Sequence, residues 1–420
     1  MSVDVIGVRR LRVYEEPTFG ADSSASVGSY LDVRHTSAEM STDREMLPDE
    51  HVVQRRLTEN EDIPSRKSTE VSLSSYLVGT GTALDNAAAI GAITDPTFAG
   101  GQILRACMGG YRADDGSLEA GASTASIVNV TGTEGPQFPQ GGAIGCHIAD
   151  SVTIEAREVA IQSTDALTPS IDFSGAPIGS SNVYNAHTFY FTEDPAQSLA
   201  FLLEAPDREN IWWSFGHNGS FGIDLPLHQF PMLNYTLPGA DWDQDNDVGT
   251  PFGASAFAES TYTDGDPVPF VQSEVLFTNS GAGAVTRVVL CPSEISVNLA
   301  FDVQAIPCPG GVNGMERWRH QRATPFITGE FTRYFDSATA FDDAIWALRN
   351  DRTLKRLNIQ IGNLPGATQL VALPNIQITD VQPADSAGLL GFTASYKALE
   401  SAAGNPTTDL ERSPMRIHNL

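Results

Sequence analysis

Ile327-Thr328-Gly329-Glu330-Phe331-Thr332-Arg333-Tyr334-Phe335, then Phe341-Asp342-Asp343-Ala344-Ile345-Trp346-Ala347-Leu348, then Leu357-Asn358-Ile359-Gln360-Ile361 is the stretch whose reading decides the fold. In its first part Ile327, Gly329, Phe331 and Phe335 share one face of a strand, and Thr328, Glu330, Thr332 and Tyr334 share the other. Asp336 or Ser337 is placed to cap a helix, and Phe341, Ile345 and Leu348 make a one-sided apolar stripe that ends near Asn350. Leu357, Ile359 and Ile361 alternate again and are closed by the turn-forming Gly362-Asn363-Leu364-Pro365-Gly366. Two short apolar runs follow on either side of Pro374. A last strand, Leu390–Ala398, places Phe392, Ala394, Tyr396 and Ala398 on one face. The pattern is strand, short helix, strand, strand, strand.

Working outward, Val8–Tyr14 and Tyr30–Val33 read as strands, and Glu70–Leu77 alternates Val71, Leu73 and Leu77 against Glu70, Ser72 and Ser74. Between them, residues 36–66 are charged, with Arg55, Arg56 and Arg66 among many acids, and read as a long exposed loop or hairpin arm. Ile103–Met108 fits one or two helical turns, and residues 109–145 read as irregular. Ser151–Gln162, His187–Phe191, Ser198–Leu203, Ile211–Phe215, Met232–Leu237, Val271–Phe277, Val285–Leu290 and Ile295–Val303 are short and separated by Gly, Pro, Asp or Asn. Such spacing predicts a mainly β fold, an antiparallel β-sandwich or barrel with a flanking short α-helix and large loop insertions. The expected organisation is a sandwich domain from residues 1–84 and 185–400, an inserted Gly-rich acidic region over 85–184, and a polar C-terminal tail over 401–420.

The chain has 420 residues and a formal charge of −27. Residues 81–300 carry 26 acidic and 5 basic side chains, so the excess sits in the middle of the chain. Such a surface has few cations with which to release counterions from a phosphate backbone, which argues against nucleic-acid binding by charge neutralisation; it would repel DNA, keep the particle soluble, or both, with an ordinary solvated acidic surface as the other reading. The four cysteines form no Cys-x-x-Cys motif and read as reduced, mostly buried thiols. The sequence offers no signal-peptide pattern and no apolar run long enough to span a bilayer.

Motifs for phosphate loops, dinucleotide folds, zinc proteases and serine hydrolases are missing, and no cofactor is expected. Asp241, Asp243, Asp245 and Asp247 alternate and offer oxygen ligands for a cation, but neither register has the Gly and Glu of a calcium loop, which leaves an acidic surface loop as the other reading. Cys146-His147, His217 and His228 read as structural. Arg317-Trp318-Arg319-His320-Gln321-Arg322 interleaves an aromatic with cations. Arg and Trp are the types enriched at interface hot spots, and acidic neighbours would attract this cluster. Arg55, Arg56, Arg317, Trp318, Arg319 and Arg322 are therefore the candidate assembly residues, with an ordinary surface or a nucleic-acid patch as alternatives.

The run from Ile327 to Ile361, the segment Leu370-Val371-Ala372-Leu373-Pro374-Asn375-Ile376-Gln377-Ile378 with the strand reaching Tyr396, and the opening from Tyr14-Glu15-Glu16 to Phe19-Gly20 with its charged arm resemble phage tail-tube proteins. The likeness covers roughly 80 residues at each end and is looser between them. It implies a non-enzymatic virion protein, made in the host cytoplasm. Its subunits would form rings of six, or of three doubled ones, stacked into a tube through which DNA passes without specific binding. The implied partners are further copies, a tape-measure protein, and tail terminator and distal tail proteins, with no membrane. Two other readings stay open: a capsid, decoration or tail-fibre component, and a carbohydrate-binding β-sandwich using Trp212, Trp213 and Trp242.

Overall fold

The computed structural model describes residues 10–20, 30–47, 63–81, 92–93, 96–114, 118–119, 123–130, 138–150, 152–163, 165–179, 182–192, 197–205, 210–245, 262–280, 285–312, 315–335, 340–386, 389–401 and 408–420. Within them the chain is mainly β and antiparallel, with helices at Ala99–Met108, Ala340–Asp351 and Asp409–Arg412. Among these described residues, no helix is long and apolar enough to cross a membrane.

The deciding stretch forms the centre of the largest sheet. Met315–Tyr334 pairs on one side with Glu294–Val312 and on the other with Leu389–Ala398, which in turn pairs with Gln369–Ser386. Gln369–Ser386 is shared between two layers. Its first residues pair with Lys355–Ile361 and with Arg416–Asn419, and its later residues with Leu389–Ala398. The ladder to Lys355–Ile361 shifts register beside Pro374 and Asn375, because proline removes a ladder donor and bends the strand. The bend folds the sheet into a sandwich. One layer continues through Glu294–Val312, Ser220–Pro226, Met232–Gly239 and Ile63–Tyr76 to the edge strand His35–Leu47. The other runs from Val289–Leu290 and Ser273–Asn279 through Lys355–Ile361, the first half of Gln369–Ser386 and Arg416–Asn419 to His187–Phe191, Gly109–Asp114 and Ala92–Ile93.

The core between the layers is apolar and aromatic. Phe277 meets Phe331 across it with ring centroids 5.8 Å apart, and Phe331 in turn contacts Phe392 and Tyr396. Ile327, Phe331, Phe392, Ala394 and Tyr396 are all buried, as the alternation requires, whereas Phe335 at the strand end is 46% exposed. Gly329 is needed where it stands: a Cβ there would strike Ser296 O and the Tyr396 phenol, and the space left by its absence lets Tyr396 reach across the strand and donate to Ser296 O at 2.8 Å. The helix Ala340–Asp351 buries Ile345 and Leu348 of its stripe; its first turn and the capping residues Asp336 and Ser337 lie outside the described side chains.

A five-stranded sheet, in the order Asp241–Asp245, Asn210–His217, Ser198–Ala205, Arg10–Glu16, Leu31–Asp32, closes one side of this core. Its Leu11, Val13, Leu199, Phe201 and Leu203 join the main core, together with the helix Ala99–Met108. A six-stranded sheet comes wholly from Leu118–Glu119, Val128–Asn129, Ala143–His147, Ile154–Gln162, Ala166–Pro169 and Asn182–Asn185 and has its own core around Phe138, Ile144, Val159 and Phe173. It covers the outer face of Lys355–Ile361. This is why Arg356, Asn358 and Gln360, on the face expected to be wet, are buried along with Leu357, Ile359 and Ile361. Among the described residues, 109–145 contributes the short strands Gly109–Asp114, Leu118–Glu119 and Val128–Asn129 and the start of Ala143–His147, where the sequence suggested irregular structure throughout, because strands of two to six residues are too short to show a period.

Residues 408–420 correct the expectation of a polar tail. Arg416–Asn419 is an interior strand between Gln369–Ser386 and His187–Phe191, and all four residues are buried. Its polar composition hides it: Arg416, His418 and Asn419 are satisfied or enclosed by tertiary partners that no local pattern announces.

Candidate assembly surface

Two β-ribbons outrun the strands that flank them. Glu294–Val297 pairs with Ser220–Pro226 and Ile327–Tyr334 with Leu389–Ala398, but between Phe301 and Arg322 the two long strands pair only with each other among the described ladders. Likewise, Thr69–Tyr76 pairs with Met232–Gly239, while Asp43–Leu47 and Ile63–Ser68 pair only with each other. The expected arm over residues 36–66 is therefore a hairpin whose first strand forms the edge of the large sheet. Arg55 and Arg56 lie outside the described residues.

Both ribbons are tied to the five-stranded sheet. In the first, Lys67 Nζ donates to Trp242 O at 2.9 Å and lies over the Trp242 ring, while Trp242 Nε1 donates to Asp43 O at 3.0 Å. In the second, strand alternation sends Trp318 inward and Arg317 and Arg319 outward. Trp318 is 7% exposed, packs with Ala240 and Met315, and donates from Nε1 to Gly216 O. Gly216 has φ +66°, a conformation that disfavours side chains, and a Cβ there would press on Ala240 and Phe19. Its N–H donates to Glu16 at 3.0 Å, and Glu16 also accepts from Ser198 Oγ at 2.5 Å and Gly20 N at 2.9 Å. Burial pushes the Glu16 carboxyl up to about 7 despite these donors.

The six candidate assembly residues thus separate. Arg317 and Arg319 are exposed on one ribbon face. Trp318 is a core residue of this chain, so its ring is not presented to a partner, a correction that follows from the opposite facing of adjacent strand residues. The backbone of Arg322 is on the same ribbon, while its side chain is outside those described.

The aspartate run is also placed differently. Asp241–Asp245 is a strand at the edge of the five-stranded sheet rather than a loop, because its residues pair with Ile211–Phe215. Asp241 faces Lys67 at 3.5 Å, the Asp245 side chain is outside those described, and Asp247 lies beyond them. Among the described residues, no group of three His, Cys, Asp or Glu side chains could hold a metal ion. Of the tryptophans read as surface aromatics, Trp213 is 8% exposed, Trp212 is half-buried against the main core, and Trp242 is engaged by Lys67.

Cys107 and Cys146 are buried, and burial raises both thiols; Cys291 is exposed and Cys308 half-buried, so two of the four depart from the expected burial. His147 is structural, bonded to Thr153 O and Tyr184 OH. The buried imidazole of His217 contacts Leu237 O at 2.8 Å, and burial lowers it to about 4.

A cleft of about 250 Å³ opens between the six-stranded sheet and the sandwich, lined by Thr153, Glu155, Glu274, Gln360 and Asn363. Its two carboxylates both accept from Arg157 Nη2, at 3.0 Å from Glu155 and 2.9 Å from Glu274. Arg287 also donates to Glu274 and Ser174 to Glu155, so both carboxylates are held as ion-pair and hydrogen-bond partners. Below it, Gln360 bonds Ala156 N and Ile154 O, and Arg356 donates to Ser170 O. Nearby, Glu158 pairs with Arg416 at 2.6 Å. Burial alone would raise Glu158, but Arg416, His418 and Arg356 hold it down at about 2.

A third polar cluster joins Arg10 and Arg12 to Asp32 and Glu204. The alternation Arg10-Leu11-Arg12-Val13 signals arginines on one strand face, but their partners lie 20 to nearly 200 residues away and are invisible to local reading. Gln360, Glu158 and Arg416 carried no signal at all.

No protein-family model matches the chain, and no curated protein matches it.

Proposed function

We propose that the protein is a structural subunit of a phage tail tube, non-enzymatic, assembling with further copies into stacked rings around a DNA-conducting lumen. The observation that carries this reading is the open edge of the large sheet. His35–Leu47 is 13 residues long and has one partner strand among those described, so its other side offers unpaired backbone groups. Such an edge is a liability in a monomer and is removed when sheets of neighbouring subunits join. Charge fits the same reading: a net −27 repels DNA from a lumen, while exposed Arg317 and Arg319 on a ribbon offer cations to acidic neighbours.

One continuous core shared by the large and five-stranded sheets favours a single tube domain per chain, and hence rings of six. Tape-measure, terminator and distal tail proteins would then contact the lumen and the ends. The subunit would be made in the host cytoplasm and reside in the virion. The test is sedimentation of the purified chain over a concentration series. Species growing in steps of rings support the reading, and a monomer that persists at millimolar concentration overturns it.

A further inference from the structure

We infer that Gln369, Asn419 and His187 enclose an internal hydration site, in which ordered water completes the hydrogen bonding of the C-terminal strand. These three residues stand side by side on three neighbouring strands: Gln369 is opposite Asn419, and Asn419 is opposite His187. All three point into the sandwich, since Val371, Ile417 and Phe189, two residues along each strand, belong to its core. Their exposures are 0%, 0% and 4%.

Such burial demands partners, and protein atoms do not supply them. Gln369 Nε2 donates to Ala367 O at 2.9 Å, but among the described residues Gln369 Oε1 has no partner, and neither Oδ1 nor Nδ2 of Asn419 has one. His187 is anchored through Nδ1 to the Tyr111 hydroxyl at 2.6 Å, and burial lowers it to about 4, so the row is electrically neutral at physiological pH. Buried amides left unsatisfied are rare in native proteins, and where protein partners are missing ordered water fills the role.

The donor set identifies the occupant. It comprises two acceptors, Gln369 Oε1 and Asn419 Oδ1, and the amide N–H groups of Asn419 Nδ2 as donors. A metal cation satisfies the oxygens but cannot accept from the amide N–H. An anion accepts from the amide N–H but is repelled by the oxygens. Water does both. Directly facing side chains on adjacent strands leave Cβ atoms about 5 Å apart, so the gap between the two amide heads is of the size a single water bridges.

The test is an experimental map of the full chain, by crystallography or electron microscopy, at a resolution that shows ordered water. The expected result is a peak about 2.7–3.2 Å from the Asn419 amide and from Gln369 Oε1. Direct pairing of Gln369 Oε1 with Asn419 Nδ2 and no peak would overturn the inference. So would a peak markedly closer than hydrogen-bond distance that contacts only oxygens, because that marks a cation. A solution readout is the water-to-amide cross-relaxation of the Asn419 side chain. A long-lived contact is expected in the native protein, and its absence sinks the proposal. Asn419→Leu, which keeps the branched shape but removes both polar atoms, should lose the peak beside Gln369; the native measurements stand alone if that variant does not fold.

Discussion

Replacing Arg416 by methionine removes one half of a buried ion pair while keeping most of the side-chain volume. Arg416 is 3% exposed and Glu158 2%. The guanidinium donates to Glu158 at 2.6 Å, to Leu410 O at 2.7 Å and to Glu411 O at 2.6 Å, so a single side chain joins the C-terminal strand, the Asp409–Arg412 turn and the inserted sheet. Its loss takes one donor from the buried Glu158 carboxylate, one from the buried carbonyl of Leu410 and one from the part-buried carbonyl of Glu411. Breaking such a pair costs about 3–5 kcal/mol. The loss falls on a four-residue strand, so it appears first as local opening. Amide exchange of Ile417, His418 and Asn419 should accelerate about a hundred- to a few thousandfold, with smaller changes at Phe331 and Phe392.

The pH dependence has a defined sign. Glu158 is held at about 2, against 4.5 for the unperturbed group, so its contribution is present above 4.5 and is lost as pH falls from there towards about 2. The amount at stake is about 3 kcal/mol. Arg416→Met should remove most of this acid-labile part, and Glu158→Gln combined with Arg416→Met should cost less than the sum of the singles. If Arg416→Met stays within about 1 kcal/mol of the native protein in urea, with unchanged exchange at residues 417–419, the pair does not seat the strand.

Glu16 has the opposite sign: its carboxyl is raised from 4.5 to about 7, so the folded state keeps a proton that the unfolded chain has released, and stability falls as pH rises through that window. Glu16→Gln should therefore gain on the native protein between pH 5 and pH 8 in paired urea titrations, and a constant difference would refute the assignment. Trp318→Ala should cost about 3–5 kcal/mol by opening a cavity against Ala240 and Met315 and should speed exchange across Met315–Arg319; a change below about 1 kcal/mol contradicts the placing of Trp318 in the core. Reversing Arg317 and Arg319 to glutamate should leave urea stability nearly unchanged, since both are exposed, yet block sedimenting assemblies; normal assembly would remove these two from the interface.

Regular alternation made most of the sandwich legible. Ile327–Phe335 and Leu390–Ala398 carry a clear period-two pattern and the helix between them a one-sided stripe, whose Ile345 and Leu348 are buried as its spacing requires. Reading failed where both faces are dry. Arg356, Asn358 and Gln360 look like a solvated face but lie under the inserted sheet, and Arg416–Asn419 looks like a tail but is an interior strand. In both places polar residues are buried by partners up to 258 residues apart in sequence, and no window of sequence contains such a pairing. The candidate interface was half readable. Composition found the Arg317-Trp318-Arg319 cluster, but only strand geometry separates its outward arginines from its inward tryptophan.

Electron microscopy of the purified chain at high concentration tests the assembly reading most directly. Hollow tubes of stacked sixfold rings, with the His35–Leu47 edge of each subunit paired to its neighbour, are the predicted result. A uniform field of isolated monomers, with that edge open to solvent, would contradict it.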